Sequence, residues 1–163
     1  MAEKYKCLNP VGTGESVDTF PLAPRLTTLD GKQIYLSICG EPDITIALEK
    51  KIKRDYPNVN WQIKKTYGTN PVRLSDEEMK TCHILFIARS ENKRTDSILR
   101  ALGTAPVLTV GEADRFAHNG GRINFVVKED SVRLEINLAA AEAAGLKISS
   151  ELASLATLVN SQR

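Results

Sequence analysis

The sequence is poor in the features that mark the more specialised classes of protein. It has three cysteines, one tryptophan and two histidines in 163 residues, and aromatic residues make up 6% of the chain. No apolar run approaches the roughly 20 residues that a membrane-spanning helix requires. The first residues, MAEKYKCLNP, contain no apolar stretch of the signal-peptide type. We therefore expect a protein without membrane insertion that, as written, stays in the cytoplasm.

Charge and cysteine content argue against further classes of function. The chain carries 22 basic and 20 acidic residues, for a formal net charge of +2, so neither sign dominates as it does in many nucleic-acid-binding proteins. Low aromatic content argues against a base-stacking surface. The cysteines lack the spacing of metal ligands, and no serine–histidine–acid order stands out. We predict no catalytic residue, metal, cofactor or nucleic-acid partner, and hence no enzyme.

The stretch Thr81–Arg89 organises the rest of the pattern. Its centre, HILFIA at 83–88, is a short apolar run of the kind found in strands that are buried on both faces of a sheet. A capped polar turn, LSDEEMKT, precedes it, and ARSENKRTDSILRAL leads into an amphipathic helix. Ligands usually lie in the loop after such a strand. That loop, residues 89–93, carries no recognisable catalytic motif.

Strand and helix patterns alternate before and after this stretch. Strands are predicted at IYLSIC, VNWQIKKTY and PVLTVG. A first helix, capped by Asp43, ends before Pro57, and Ser75 begins a capping box for a second. A third helix spans about 93–102 and ends at Gly103, and residues 112–117 form a short helix or turn.

The last third of the chain shows a different sequence pattern. RINFVVKEDSVRLEIN alternates on both sides of residues 128–130, which predicts an antiparallel hairpin. An alanine-rich helix closed by Gly145 follows, and then an amphipathic segment from the caps Ser149 and Ser150 to Val159. The whole pattern predicts a three-layer α/β/α sandwich of flavodoxin-like type. Its sheet is mostly parallel, with an antiparallel C-terminal hairpin.

The domain organisation is simple. Residues 1–30 contain the breaker-rich stretches NPVGTGES and FPLAPRL, which predict an extended amino-terminal arm. Residues 31–163 continue one βα pattern and are long enough for a sizeable core. We predict a single α/β domain over that range.

Four features could carry chemistry, and for each we favour a structural explanation. Gly12-Thr13-Gly14 lacks the strand and helix that flank a phosphate-binding loop. His83 has no nearby acid in sequence, so a packed, hydrogen-bonded histidine is favoured over a catalytic base. His118 lies in a glycine loop and is expected to be exposed. The loop Asn119-Gly120-Gly121-Arg122 could bind an anion through a backbone nest, but a turn needs no ligand.

Two stretches of the carboxyl-terminal half carry a family resemblance. CHILFIARSE and APVLTVGEADRFAHNGGRINFVVKEDSVRLEINLAAAEAAGLKISSELASLA are similar to the YfiR family of periplasmic regulators. The resemblance covers residues 81–163 and is most specific in GGRINFVV and VRLEINLAAAEAAGLKISS. It implies a non-enzymatic, redox-sensitive periplasmic protein that restrains an inner-membrane diguanylate cyclase.

The amino-terminal half, residues 1–80, resembles a different family. LNPVGTGES, FPLAPRLTTLDGKQIYL and KKIKRDYPNVNWQIKKTYGTNPVRLSDEEMKT look like the start of the UGSC family, which is related to selenoprotein reductase components. The motif that names that family would follow HILFIA, where this chain has ARSENKR. The two resemblances together suggest a hybrid joined near Lys80–Cys82.

Three functional hypotheses follow from these resemblances. The main one is a non-enzymatic hybrid, engineered or of mixed descent, without a native activity. The alternative is a YfiR-like regulator, which would need export and a partner diguanylate cyclase. A UGSC-type redox enzyme is disfavoured because its motif is absent. A homodimer is compatible with the first two hypotheses.

The YfiR resemblance also implies a redox pair, a disulfide between Cys39 and Cys82. The strand pattern argues against it, because Cys39 ends one strand and Cys82 opens another. In parallel neighbours, five or six residues of about 3.3 Å each would separate them, whereas a disulfide allows a Cα spacing of at most about 6.8 Å. We predict reduced thiols at both positions, with Cys82 buried and Cys7, in the arm, the most reactive.

Overall fold

The computed structural model of the protein describes residues 28–31, 33–39, 42–66, 75–128 and 131–161. Cys7, the Gly12-Thr13-Gly14 loop and nearly all of the amino-terminal arm lie outside the described residues. Among the described residues, no helix is long and apolar enough to cross a membrane.

Seven strands and five helices account for most of the described chain. The strands are β1 (Gln33–Cys39), β2 (Asn60–Thr66), β3 (Ile84–Ile87), β4 (Leu108–Gly111), β5 (Ile123–Lys128), β6 (Ser131–Ile136) and β7 (Ala156–Leu158). The helices are α1 (Pro42–Asp55), α2 (Asp76–Thr81), α3 (Asn92–Leu102), α4 (Leu138–Ala143) and α5 (Ser150–Ser154). A short 3₁₀ turn, Arg89–Glu91, joins β3 to α3.

The described strands form one sheet in the order β2-β1-β3-β4-β5-β6-β7. Neighbours from β2 to β5 are parallel, β5 and β6 form an antiparallel pair, and β7 runs parallel to β6. The order 2-1-3-4-5 is that of flavodoxin-like folds. The predicted fold class, a mostly parallel α/β sheet with an antiparallel hairpin, is confirmed.

The two faces of the sheet carry separate apolar clusters. On the face that bears α1, here called the front, Leu48 and Ile52 of α1 pack against a cluster that includes Ile38 and Phe86. On the back, residues from α2, α3 and the segment 112–117 pack on Leu85 and Ile87. Since β3 contributes to both clusters, it is buried on both faces, as its apolar run predicts.

Local capping signals in the sequence act as predicted at α2. The Ser75 hydroxyl accepts a hydrogen bond from the Glu78 amide (3.2 Å), and the Glu78 carboxylate accepts one from the Ser75 amide (2.9 Å). The Lys64 ammonium of β2 donates to the same carboxylate. Together the Lys64 ammonium and the Ser75 amide lower the pKa of Glu78 to about 2. The contact between Lys64 and Glu78 also joins β2 to α2.

Two local predictions need correction. The segment 149–159, predicted to be one amphipathic stretch, is the short helix α5 followed by the strand β7. β7 adds to the edge of β6, and this pairing is a tertiary contact that local periodicity does not encode. Residues 114–117 form turns, in agreement with the short helix or turn predicted over 112–117. Helix α1 begins at Pro42, so Asp43 lies inside the helix rather than at its cap.

Phe116 fixes the position of the segment that joins β4 to β5. Its ring is fully buried and lies against two glycines of that connection. A Cβ atom on Gly111 would lie 2.6 Å from the ring, and one on Gly121 would lie closer still. Both positions therefore require glycine, because a side chain at either one would collide with the Phe116 ring.

We expect Gly121→Ala to lower the free energy of unfolding by about 1–3 kcal/mol, because the added methyl group overpacks a filled site. Urea denaturation measures the change. In the background of Phe116→Leu, which makes room beside residue 121, the same substitution should cost less. Equal costs in the two backgrounds would contradict this account of the contact.

We also expect one cooperative thermal transition, because β3 joins elements from both sides of residues 80–82 in one sheet. Calorimetry and limited proteolysis measure it. Two separate transitions, or two stable fragments cut near residue 80, would contradict a single domain over 31–163.

Candidate functional site

The carboxyl ends of the parallel strands are the place where this fold usually binds ligands. After β3 the chain turns through Arg89–Glu91 into α3. Glu91 accepts a hydrogen bond from Arg94 (3.0 Å) with its carboxylate, and its carbonyl accepts one from the Thr95 hydroxyl (3.4 Å). These contacts fix the start of α3 and give the loop a structural role.

An apolar groove lies on the front of the sheet at this edge. We call it the front groove. It has a volume of about 740 Å³. Its floor is formed by Phe86, Phe125, Val127 and Val132.

The floor becomes more exposed toward the tip of the hairpin. Ile123 and Ile136 form a cross-strand pair at the base of β5 and β6 and are 7% and 0% exposed. Val127 and Val132 form the corresponding pair near the tip and are 61% and 68% exposed. A pair of large apolar side chains with this exposure indicates a contact surface.

Helix α1 forms one wall of the front groove through Ala47, Leu48 and Lys51. Lys51 makes an ion pair with Asp55 one turn later (2.6 Å). Its ammonium lowers the pKa of Asp55, with a smaller contribution from Arg54. The wall is therefore apolar at its base and carries a locally neutralised charge at its top.

Arg89 and Glu112 form the rim at the carboxyl edge, following β3 and β4 respectively. Within the described ranges neither takes part in an ion pair. Their charges are opposite, so the rim can attract both acidic and basic groups of a partner. The groove thus combines an apolar floor with two rim charges that make no ion pair with the described residues, an arrangement that suits protein binding.

Among the described residues that line the groove, the ionisable side chains are Lys51, Arg89 and Glu112, and none is a histidine, cysteine, serine or threonine. In the part of the chain that the structure describes, no three His, Cys, Asp or Glu residues are close enough to hold a metal ion.

The two histidines lie away from the front groove. His83 is hydrogen-bonded, as predicted, but it is exposed at the amino end of β3 rather than packed. Its Nδ1 accepts a hydrogen bond from the Tyr35 amide (3.0 Å), so this nitrogen extends the β1–β3 pairing. His118 is half-buried rather than exposed, and its Nδ1 is buried without a partner among the described residues.

The loop Asn119–Arg122 is occupied by internal hydrogen bonds. The backbone amides of Asn119, Gly120 and Gly121 donate to carbonyls of the preceding turn at 2.9, 3.3 and 2.9 Å. The Arg122 amide donates to the Thr109 hydroxyl (3.1 Å). A backbone nest needs amides that are free to point at an anion, so the structure supports the turn that the sequence favoured.

Arg122 itself has a structural role. Its side chain is 2% exposed, and burial lowers its pKa. The guanidinium donates to the carbonyls of Gly103 and Ala105 (both 3.2 Å) and to the Thr109 hydroxyl (3.4 Å). It therefore caps the carboxyl end of α3, where a cation is favourable, and joins that end to β4 and β5.

Cys39 and Cys82 are both buried and in the thiol form. Cys39 lies opposite Ile87 in the β1–β3 register, whereas Cys82 lies five positions before Ile87, at the end of α2. Cys82 is 3% exposed, as predicted, and its thiol donates to the Met79 carbonyl (3.1 Å). Burial raises the pKa of Cys82 to about 11, with a smaller contribution from Cys39.

We expect three thiols per chain when the protein is denatured without reductant and titrated with Ellman's reagent. In the folded protein, alkylation of Cys82 should be slow near neutral pH and should accelerate as the pH rises toward 11, because only the thiolate reacts. Peptide mapping after alkylation identifies the residue. One thiol per denatured chain would show a disulfide and contradict the prediction.

The front groove has no direct signature in the amino-acid sequence. The hairpin was predicted, but no surface role was predicted for its front positions. The available signal was the alternation itself: on β5 and β6 the front positions 123, 125, 127, 132, 134 and 136 are all apolar. That pattern does not say which of them lack a covering helix.

Comparison with known proteins identifies the family to which the chain is similar. The model of the family described as YfiR/HmsC-like matches residues 25–157. The matched range spans the predicted junction at Lys80–Cys82. Nothing in the comparisons supports a UGSC-like amino-terminal half, a hybrid or an engineered origin, and the regulator, given above as the alternative, is the better supported hypothesis. No curated protein sequence matches the chain significantly.

Solved structures agree on the fold. The crystal structure of a conserved domain protein from Vibrio cholerae O1 biovar El Tor has a TM-score of 0.53 at 12% identity, over 76% of this chain and 54% of the other. The ABC domain in complex with L-Trp from Streptococcus pneumonia has a TM-score of 0.55 at 9% identity, over 77% and 55%. This chain thus spans about half the length of each of these proteins.

Proposed function

Because this chain belongs to the YfiR/HmsC-like family, we propose that it is a non-enzymatic regulator that restrains a diguanylate cyclase by binding it. The proposed partner is the periplasmic part of an inner-membrane cyclase, so the proposed site of action is the periplasm. The family match over residues 25–157 carries the proposal. It covers both the central sheet and the hairpin that forms the front groove.

The front groove supports a binding role. Its apolar floor, Phe125, Val127 and Val132, reaches the surface beside a wall of α1. Binding through such a floor removes apolar area from water, at about 25 cal/mol per Å². The rim charges of Arg89 and Glu112 supply orientation rather than most of the affinity. We place the cyclase contact here.

The test is a pull-down of a cyclase's periplasmic domain by the full chain, followed by titration to obtain a Kd. The cyclase is taken from the genome that encodes the chain. We expect Val132→Glu to weaken binding at least about tenfold, since a carboxylate would be buried without a partner. Cyclic di-GMP production by membranes that contain the cyclase should fall when the wild-type chain is added, and less so with the variant.

Arg133→Glu is the matched control. Arg133 neighbours Val132 on β6 and is exposed, but it points to the opposite face of the sheet. The Arg133→Glu substitution changes the charge of the same strand without altering the groove, so the Kd should stay within about twofold of wild type. Absence of cyclase binding by the wild-type chain would contradict the regulator, and equal losses in both variants would contradict the groove as its site.

A further inference from the structure

We propose that a groove between the end of α1 and the start of β2 binds a polyproline-type segment, and that residues 20–26 of this same chain occupy it. This groove, here called the aromatic groove, has a volume of about 290 Å³. The residues that line it are Lys53, Tyr56, Pro57, Val59, Asn60 and Trp61. The inference does not depend on the proposed function, because the aromatic groove lies at the amino end of β2 and the front groove lies at the carboxyl edge of the sheet.

Two aromatic rings form the main contact surface of the aromatic groove. The rings of Tyr56 and Trp61 meet edge to face, with their centroids 6.5 Å apart and their planes inclined by 66°. The Trp61 indole N–H donates to the Tyr56 carbonyl (3.2 Å), which fixes the indole, and the Tyr56 side chain is 50% exposed. Tyr and Trp supply contact area at a low cost in conformational entropy. A groove lined by aromatic rings is the surface on which polyproline II segments dock.

The amino-terminal arm contains a segment of matching chemistry. Residues 20–26 read FPLAPRL, in which Pro21 and Pro24 have the P-x-x-P spacing of polyproline II ligands. A polyproline II helix has three residues per turn, so this spacing places both prolines on one side of such a helix. The remaining residues of the segment are apolar except for Arg25. The segment can therefore present an apolar side to the two rings.

The arm joins the domain beside the aromatic groove. The Gly31 amide donates to the Asn58 carbonyl (2.8 Å), and Asn58 lies between two residues of the groove lining. Pro24 precedes Thr28 by four residues, a span of about 12 Å at a rise of about 3.1 Å per residue. A segment on so short a tether has an effective concentration of about a millimolar. Even a weak contact between the segment and the groove would therefore be substantially populated.

The fluorescence of Trp61 tests the proposal, because this residue is the one tryptophan of the chain. In the full chain, the double substitution Pro21→Ser and Pro24→Ser should increase the quenching of Trp61 by acrylamide, since the indole loses its cover. Pro10→Ser is the matched control, because it changes the same arm outside residues 20–26, and it should leave the quenching unchanged. Equal quenching in the wild type and the double variant would overturn the proposal.

Limited digestion with trypsin tests the same contact from the side of the groove. Tyr56→Ala should speed cleavage after Arg25 at least about fivefold, because cleavage follows the population of the undocked segment. Cleavage after Lys4 and Lys6, which lie in the arm outside the segment, should be unchanged. Tyr56→Phe keeps the ring and should behave as the wild type does. Equal rates after Arg25 in the wild type and Tyr56→Ala, or an equal increase at all three sites, would overturn the proposal.

A peptide added to the Pro21→Ser and Pro24→Ser double variant tests the chemistry of the occupant. The peptide FPLAPRL should restore the protection of Trp61 from acrylamide, and the same peptide with serine in place of both prolines should not. Restoration by both peptides would indicate a general apolar contact and would contradict a polyproline site.

Discussion

Burial of β3 on both faces is the constraint on which the rest of the structure depends. Leu85 and Ile87 are completely buried in the back cluster, and Phe86 is buried in the front cluster together with Ala88, which follows the strand. A strand of this kind is stable only when it has a hydrogen-bonded neighbour on each side and a helical layer above and below. β1 and β4 supply the neighbours, and α1 and α3 contribute to the two layers. The other elements extend this arrangement outward.

The two faces of the sheet are covered to different extents, and the front groove results from that difference. The back cluster draws on α2, α3 and the segment that contains Phe116. The front cluster draws on α1, whose Leu48 and Ile52 pack over the centre of the sheet. One helix spans about two strands, since strands lie about 4.8 Å apart and a helix is about 10 Å across. The hairpin therefore extends beyond the cover of α1, and its front side chains become a surface.

The sequence was sufficient where structure depends on neighbours along the chain. The Ser75 capping box, the stop at Gly103 and the hairpin of β5 and β6 are all encoded within a few residues. It was insufficient where structure depends on distant partners. β7 pairs with the edge of β6, and His118 is half-buried within the turn between β4 and β5. The front groove belongs to the second group: the pattern shows that Val127 and Val132 share a face, but their exposure depends on how far α1 reaches across the sheet.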